Sequence, residues 1–509
     1  MLGGQAMRRG LQIGLFVIML MTLGYYVNDA FGRSIATTLS IMTTLAVVTL
    51  AIMIFMENRH PSSTVAWILI LALVPVVGFI FYLLFGQNYR KRRSYNRKAK
   101  RNKQAYAFID NDALVRGEQI LDTYTEDERM LLRLTSQMSK SPISFGSETR
   151  ILTNGEETFT ELLAELKKAR HHIHMEYYIY RDDEIGRSIK HILMEKALSG
   201  VEVRFMYDAV GSMQLPKSFL HDLRAAGVEV QAFGAVKFPL LSSRVNYRNH
   251  RKIVIVDGDV GFMGGLNVGD EYLSRNKTYG FWRDTHMIVR GEAVQSLQII
   301  FLQDWSHVTG STLYGAQYLL PQPVEATGGA VQIIASGPDH EFSTMKNVFF
   351  SMLTSAKRSI WIATPYFIPD DDIFTALKVA SLSGVDVRLL FPAKPDKWLP
   401  FLASHSYFPS LINAGVRIYE YEKGFLHSKI IIIDGEVATI GTANMDMRSF
   451  HLNFEVNALL VHTESVNCLR DDFERDLQYA TRIREENFAR KRTITRFLES
   501  LARLFSPLL

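Results

Sequence analysis

Two stretches of the chain carry the same reactive side chains at the same spacing. In the first, His250-Arg-Lys252 runs into Ile-Val-Ile-Val-Asp257, and after six more residues comes Gly264-Gly-Leu-Asn267. In the second, His427-Ser-Lys429 runs into Ile-Ile-Ile-Ile-Asp434, and after six more comes Gly441-Thr-Ala-Asn444. Side chains on a strand alternate between faces, so a His and a Lys two residues apart point the same way and can share a pocket. Such a pair supplies an imidazole able to attack or to move a proton, beside a positive charge able to hold an anion. The apolar residues after each Lys read as a strand buried on both faces, and the Gly-containing turn brings an Asn back toward the pocket. A single H-x-K would be an ordinary pair on a strand edge. Two copies of H-x-K-x4-D-x6-G-x-x-N in one chain are not.

The repeat extends to the elements that must position these residues. One copy contains Lys168-Ala-Arg-His-His-Ile-His-Met-Glu-Tyr-Tyr-Ile-Tyr180 and, after a helical stretch, Leu198-Ser-Gly-Val-Glu-Val-Arg-Phe-Met-Tyr-Asp208. The other contains Ser355-Ala-Lys-Arg-Ser-Ile-Trp-Ile-Ala-Thr-Pro-Tyr-Phe-Ile368 and then Leu382-Ser-Gly-Val-Asp-Val-Arg-Leu-Leu-Phe391. Each reads as helix, apolar strand, amphipathic helix and apolar strand, with the Gly before Val-x-Val-Arg stopping the helix. This alternation predicts an α/β fold of two similar domains, residues 147–325 and 326–509, with mostly parallel sheets flanked by helices. Two glycines between Thr327 and Ala330 mark the boundary.

Apolar residues make up 47% of the 509, and they are unevenly spread, with three apolar runs dominating residues 1–87. Leu39 to Met56 and Ala66 to Phe85 each approach the ~20 residues needed to cross a bilayer and contain no charge, which predicts transmembrane helices. Leu11 to Val27, behind Arg8 and Arg9, fits a third span as well as a signal-peptide core, which leaves the number of crossings at two or three. Residues 88–146 read as a basic juxtamembrane linker, with nine Lys or Arg and no acid between Arg90 and Lys103. The positive-inside rule then puts this cluster and the domains after it in the cytoplasm, and the same cluster can meet anionic headgroups. The lone Cys468 excludes an intramolecular disulfide, and no Cys/His cluster has zinc-site spacing.

The duplicated motif resembles the signature of the phospholipase D superfamily, and the resemblance covers both repeats, roughly Glu148 to Ala480. It implies one active site at the domain interface, holding His250, Lys252 and Asn267 from one copy and His427, Lys429 and Asn444 from the other. The implied reaction is phosphodiester transfer. One imidazole attacks phosphorus while the other protonates the leaving oxygen and later deprotonates the incoming one, and the Lys and Asn side chains surround the phosphate charge. In superfamily members resembling this chain the N-terminal motif supplies the nucleophile, which points to His250 for attack and His427 for acid and base work. A nucleophilic imidazole needs a carboxylate on its other nitrogen. By resemblance that acid lies downstream of the Asn, which matches Asp284 in Trp282-Arg-Asp284 and Glu455 in Asn453-Phe-Glu455. Asp257 and Asp434 are then structural, and no cofactor or metal is implied.

Further stretches resemble bacterial cardiolipin synthases over nearly the whole chain: Asn246-Tyr-Arg-Asn-His-Arg-Lys252, Gly264-Gly-Leu-Asn-Val-Gly-Asp-Glu-Tyr272, Thr364-Pro-Tyr-Phe-Ile-Pro369, Gly441-Thr-Ala-Asn-Met-Asp-Met-Arg-Ser-Phe450, and Glu57-Asn-Arg-His-Pro61 before an apolar run. Gly265, where many superfamily members carry Ser, is a departure. That family implies phosphatidylglycerol as substrate, cardiolipin as product and the anionic bacterial cell membrane (inner or cytoplasmic) as a multi-pass setting. It implies no nucleic acid and leaves a homo-oligomer open. A hydrolytic phospholipase D or a nuclease would run the same chemistry with water, but the apolar runs favour a lipid substrate. A catalytically dead membrane scaffold would have no use for two intact motifs. His171, His172 and His174 read as a strand entering the core rather than as metal ligands, and Tyr177, Tyr178 and Tyr180 as packing. The tail from Asn487 sets Arg490, Lys491, Arg492, Arg496 and Arg503 against Ile494, Phe497, Leu498, Leu501, Leu504 and Phe505 at helical spacing. It fits a membrane surface or the face of the catalytic domain equally.

Overall fold

The computed structural model describes residues 33–56, 61–74, 78, 79, 82, 119–235, 246–311, 313, 315–319, 324, 328–340, 342–489 and 491–508. The chain divides into two compact units, one from residues 1–90 with 236–246, the other from residues 91–235 with 247–509.

In the first unit, helices Arg33–Phe55 and Pro61–Leu73 pack on each other. Pro61 opens the second helix, where its missing N–H costs nothing. The first expected span, Leu39 to Met56, lies on the first helix except for its last residue, and side chains are described from Thr44 onward. The second begins on the helix Pro61–Leu73, and its residues 75–77, 80, 81 and 83–85 lie outside the described residues. Among the described residues no helix is long and apolar enough to cross a membrane. Leu11 to Val27 and the basic run from Arg90 to Lys103 lie outside the described residues.

The second unit holds both repeats. Strands β1 (Ser147–Thr153), β2 (His172–Tyr177), β3 (Glu202–Asp208), β4 (Glu229–Phe233), β5 (Ile253–Val256), β6 (Val260–Gly264), β7 (Phe281–Arg283) and β8 (Thr285–Gly291) come from the first repeat. The second supplies β9 (Ala330–Ser336), β10 (Ser359–Ala363), β11 (Phe367–Ile368), β12 (Asp386–Pro392), β13 (Arg417–Tyr421), β14 (Gly424–Leu426), β15 (Ile430–Ile433), β16 (Val437–Gly441), β17 (Met445–Asp446), β18 (Glu455–Val461) and β19 (Ala480–Ile483). The sheet orders are β1-β8-β6-β5-β2-β3-β4 and β9-β18-β16-β15-β10-β12-β13-β19, so the second sheet repeats the first strand for strand and adds β19.

The sheets are mixed, which corrects the expectation of mostly parallel ones. Within the two large sheets only β2-β3-β4 and β10-β12-β13 run parallel, joined by helical crossovers such as Glu184–Leu198 and Asp371–Leu382. The strand behind each H-x-K is antiparallel to both neighbours. On the β6 and β16 sides the cause is the Asp-Gly pair ending each apolar run. Asp257 and Gly258 have φ of 56° and 78°, Asp434 and Gly435 have 55° and 74°, and this left-handed pair is the tight hairpin turn. A continuous apolar run suits a strand covered on both faces whether its neighbours are parallel or not. Covered faces are what the runs have, since β5 and β15 are buried throughout.

One core joins the repeats. Helix Glu292–Thr309 buries 13 of its 18 residues, packing on β2, β4, β5 and β8 of one sheet and β9 of the other. Its partner, Glu464–Leu477, packs on β1 of the first sheet and on β13, β15, β16 and β18 of the second. Leu297, Phe301 and Trp305 meet Ile430, Val456 and Phe473 in this cluster, and each large apolar side chain fully buried there stabilises the unit by ~1.5–3 kcal/mol.

Candidate active site

Both H-x-K segments enter their strands along a segment of the opposite repeat. Phe454 N donates to Arg248 O at 2.9 Å and His250 N to Phe454 O at 2.9 Å, one residue before Glu455. On the other side β14 runs parallel to β7, and His427 N donates to Arg283 O at 2.7 Å, one residue before Asp284. Asp208 at the end of β3 fixes the first approach, accepting from Asn249 N at 3.0 Å and pairing with Arg248 at 3.2 Å. Because each histidine sits beside the other repeat's carboxylate-bearing segment, the carboxylates are exchanged. His250 Nδ1 lies 2.9 Å from Glu455 Oε2, and His427 Nδ1 lies 2.6 Å from Asp284 Oδ2.

Lys252 and Lys429 sit on the same faces as their histidines. Each ammonium reaches back to the carbonyl of its own histidine, Lys252 Nζ to His250 O at 2.7 Å and Lys429 Nζ to His427 O. Each imidazole feels both ammonium charges, so the two motifs converge on one site. The intervening residues point the other way. Arg251 is buried against Asp304 and the carbonyls of Glu455 and Ser336, and Ser428 meets Thr285 Oγ1 at 3.0 Å.

Burial dominates the electrostatics. It pulls His250 and His427 down to about 4, despite the carboxylate beside each, so both imidazoles are neutral near pH 7 in the free protein. A neutral imidazole donating Nδ1–H to a carboxylate presents its Nε2 lone pair outward. Burial pulls Lys252 down to about 7, with repulsion from Lys429 adding to it, and burial pulls Lys429 to about 8 against the carboxylates around it. Burial raises Glu455 and Asp284, but their histidines and the lysines outweigh it and hold both below the usual carboxylate range. A site with two chargeable ammonium groups and two neutral imidazoles is suited to an incoming anion, which would restore the proton affinity that burial removes.

The remaining expected residues divide. Asn267 is buried, with Oδ1 accepting from Ile179 N at 3.0 Å and Nδ2 donating to Tyr272 Oη at 3.3 Å. Asn444 donates to Asp446 Oδ2 at 3.0 Å, and its buried Oδ1 has no protein partner. Asp257 and Asp434 lie at the far ends of β5 and β15, away from the site. The Asp257 carboxylate accepts from the backbone N–H groups of Arg170, His171 and His172 at 2.7–2.9 Å, and Asp434 does the same for Lys357, Arg358 and Ser359 at 2.7–2.8 Å. His172 and His174 are buried against Gln298, and among the described residues no group of three or more His, Cys, Asp or Glu is placed to hold a metal ion.

Several residues around the site escaped the sequence reading. Thr442 Oγ1 donates to Glu455 Oε2 at 2.5 Å and Asn453 Nδ2 to Oε1 at 2.9 Å. Asn453 stands two residues before Glu455, a same-face spacing that could have flagged it. Tyr178 is not only packing, since its ring meets the edge of His250 at 5.0 Å between centroids and lies under Lys252 Nζ at 5.4 Å. Trp282 stands against His427 at 5.2 Å. Asp396, bonded to Tyr366 Oη, and Asp446 both act on Lys429. Gly265 has a local reason, because a Cβ there would overlap Asp284 Oδ1.

The family profile described as "Cardiolipin synthase, PLD-like domain" matches residues 162–305 and 349–477, and "Phospholipase D-nuclease N-terminal" matches residues 44–87. A cardiolipin synthase of Halalkalibacterium halodurans is 53% identical over 505 residues, covering 99% of this chain and all of that one. Cardiolipin synthase 2 of Bacillus cereus is 56% identical over 457 residues, 90% of this chain and 88% of that one. The crystal structure of phosphatidylserine synthase from Haemophilus influenzae superimposes with a TM-score of 0.56 at 13% identity, covering 75% of this chain and 100% of that one, which shows a shared fold. With the profile matching both repeats and full-length relatives above half identity, this chain belongs to the cardiolipin synthase family of the phospholipase D superfamily.

Proposed function

We propose that the chain is a cardiolipin synthase that moves a phosphatidyl group from one phosphatidylglycerol to another, releasing glycerol. The observation that carries this reading is the pair of neutral imidazoles, each held at Nδ1 by a carboxylate of the other repeat and each facing both lysines. In the first step His250 Nε2 attacks phosphorus, the bond from phosphorus to the glycerol oxygen breaks, and His427 gives that oxygen a proton. In the second, the glycerol hydroxyl of another phosphatidylglycerol gives its proton to His427 and attacks the phosphohistidine, and the phosphorus–nitrogen bond breaks. Lys252 and Lys429, with Asn267 and Asn444, surround the charge on the phosphate oxygens. The bound phosphate raises the proton affinity of His427, which makes it competent as an acid. Asp257 and Asp434 hold the hairpins and take no part.

The division into a membrane segment 1–87, a linker 88–146 and two phospholipase D-like domains, 147–325 and 326–509, is proposed with it. So is a multi-pass setting in the bacterial cell membrane with the catalytic domains in the cytoplasm. The outward Leu45, Val48, Ile52, Phe55, Leu69 and Val74 on the N-terminal helices support a lipid setting. The test is to incubate the purified protein in detergent with phosphatidylglycerol alone, without nucleotide, and analyse the lipids by mass spectrometry. Cardiolipin and free glycerol are expected. Phosphatidic acid as the main product would make the chain a hydrolase.

A further inference from the structure

The C-terminal helix Thr493–Arg503 is packed with its apolar side outward. Glu499 and Ala502 are its buried residues, and Glu499 pairs with Lys491 at 2.5 Å. Arg496 donates to Phe488 O at 2.8 Å, Arg503 lies over the Tyr407 ring at 4.5 Å, and Ser506 meets Tyr407 Oη at 3.1 Å. These contacts fix the helix against the catalytic unit by its small and polar side. The opposite side presents Ile494, Phe497, Leu498 and Leu501 at the i, i+3, i+4, i+7 positions of one helix face, Leu504 and Phe505 follow directly after the helix, and all six are 42–73% exposed. The helix Trp398–His405, which packs on Thr493–Arg503, exposes Trp398, at 71%, and Leu399 as well. A surface of this kind on a water-facing protein is an interaction site rather than chance.

Two features identify the occupant. Residues 491–508 carry four cations, Lys491, Arg492, Arg496 and Arg503, against one acid, Glu499, which is itself buried and paired. Arg492, Arg496 and Arg503 stay exposed at the edges of the aromatic and aliphatic side chains, and that combination matches an anionic lipid surface. The patch also borders the mouth of the site. Strand β12 runs toward the site, its Leu390 level with Ala363 and through it with Ile430 beside Lys429. Just past its end Asp396 acts on Lys429, and the helix opens at Trp398.

We propose that the outward face of helices Thr493–Arg503 and Trp398–His405 docks on the anionic bilayer surface, seating the mouth of the site at the headgroup plane. This surface serves to present bilayer lipid to the site, a role that rests on the proposed function, whereas the docking itself does not. The test uses the full chain carrying Cys468→Ser, with Phe497→Cys labelled by a nitrobenzoxadiazole fluorophore and reconstituted in vesicles of phosphatidylglycerol and phosphatidylethanolamine. Lipids with a doxyl group on the upper acyl chain should quench this label at least threefold. The same label at Leu382→Cys, on an exposed residue before the start of β12 and so at the end away from the site, should be unaffected. A second arm compares substrates. Phe497→Glu with Leu501→Glu should slow conversion of vesicle phosphatidylglycerol at least tenfold, while turnover of monomeric short-chain phosphatidylglycerol stays within twofold. No quenching at 497, quenching equal at both positions, or disulfide linkage of two copies of the unlabelled Phe497→Cys variant under air oxidation in the same vesicles would each overturn the docking. Unchanged vesicle turnover in the double variant would overturn its role in presenting lipid. If no phosphatidyl transfer is seen with either substrate, the proposed function fails, and the quenching arm still decides the surface.

Discussion

The two halves of the site have the same reactive groups in different surroundings. His250 is held by Glu455, which is fixed by Thr442 and Asn453 and faced by Tyr178 across the imidazole. His427 is held by Asp284, one methylene shorter, which takes the Thr285 N–H at 2.9 Å and has Gly265 where its counterpart has Thr442. Trp282 replaces Tyr178 beside the ring, and Asp396 and Asp446 add negative charge near Lys429 where Asp208 does so near Lys252. The carboxylates are exchanged, so neither repeat holds a complete histidine–carboxylate pair of its own. The duplication therefore supplies parts, and the divergence around them leaves the two imidazoles in unlike surroundings, the asymmetry that the proposed division between attack and proton transfer needs.

The sharpest way to break this comparison is to remove the charge that both halves share. Lys252→Ala or Lys429→Ala should each lower kcat/KM by ~10²–10³ with the fold intact by circular dichroism; near-normal turnover in either would free that lysine from the phosphate. Equal in size, Glu455→Gln and Asp284→Asn should each cost ~10²–10³, but on different steps. With a nitrophenol leaving group, which needs no acid, the Asp284 variant should recover its first step and the Glu455 variant should not. Equal recovery would end the division of labour.

A smaller effect separates the lysines by pH. Burial lowers both, to about 7 and about 8, so the free enzyme loses positive charge as pH rises through that window and kcat/KM should fall there. Lys252→Arg keeps its charge and should move the descending limb upward, even at a reduced maximum. An unmoved limb would assign it to another group. The smallest kinetic effect belongs to the hairpin carboxylates, where the halves match. Asp257→Asn and Asp434→Asn should each cost roughly 1–3 kcal/mol of stability in urea unfolding, with kcat changed less than threefold. A large kinetic loss at one alone would make that aspartate part of the site.

The repeat and its motifs were legible in the sequence because His, Lys and Asn at strand spacing repeat with little change. The strand directions were not, since Val and Ile runs suit a buried strand of either direction, although the Asp-Gly pairs at 257–258 and 434–435 carried the hairpin signal. The exchange of Asp284 and Glu455 was also hidden. It arises from pairing between β7 and β14 and between Asn249 and Phe454, contacts across more than a hundred residues that no local pattern encodes. Tyr178 looked like packing because aromatic residues in a strand usually are.

The central claim is that the two histidines divide the reaction, and the covalent adduct tests it most directly. Each of His427→Ala and His250→Ala is mixed with labelled phosphatidylglycerol bearing a good leaving group, denatured within the first turnover, and digested for mass spectrometry. The account predicts phosphatidyl on the peptide containing His250 in the His427 variant, slowly hydrolysed, and no adduct in the His250 variant. Label on His427 in the His250 variant, with none on His250 in the other, would contradict it.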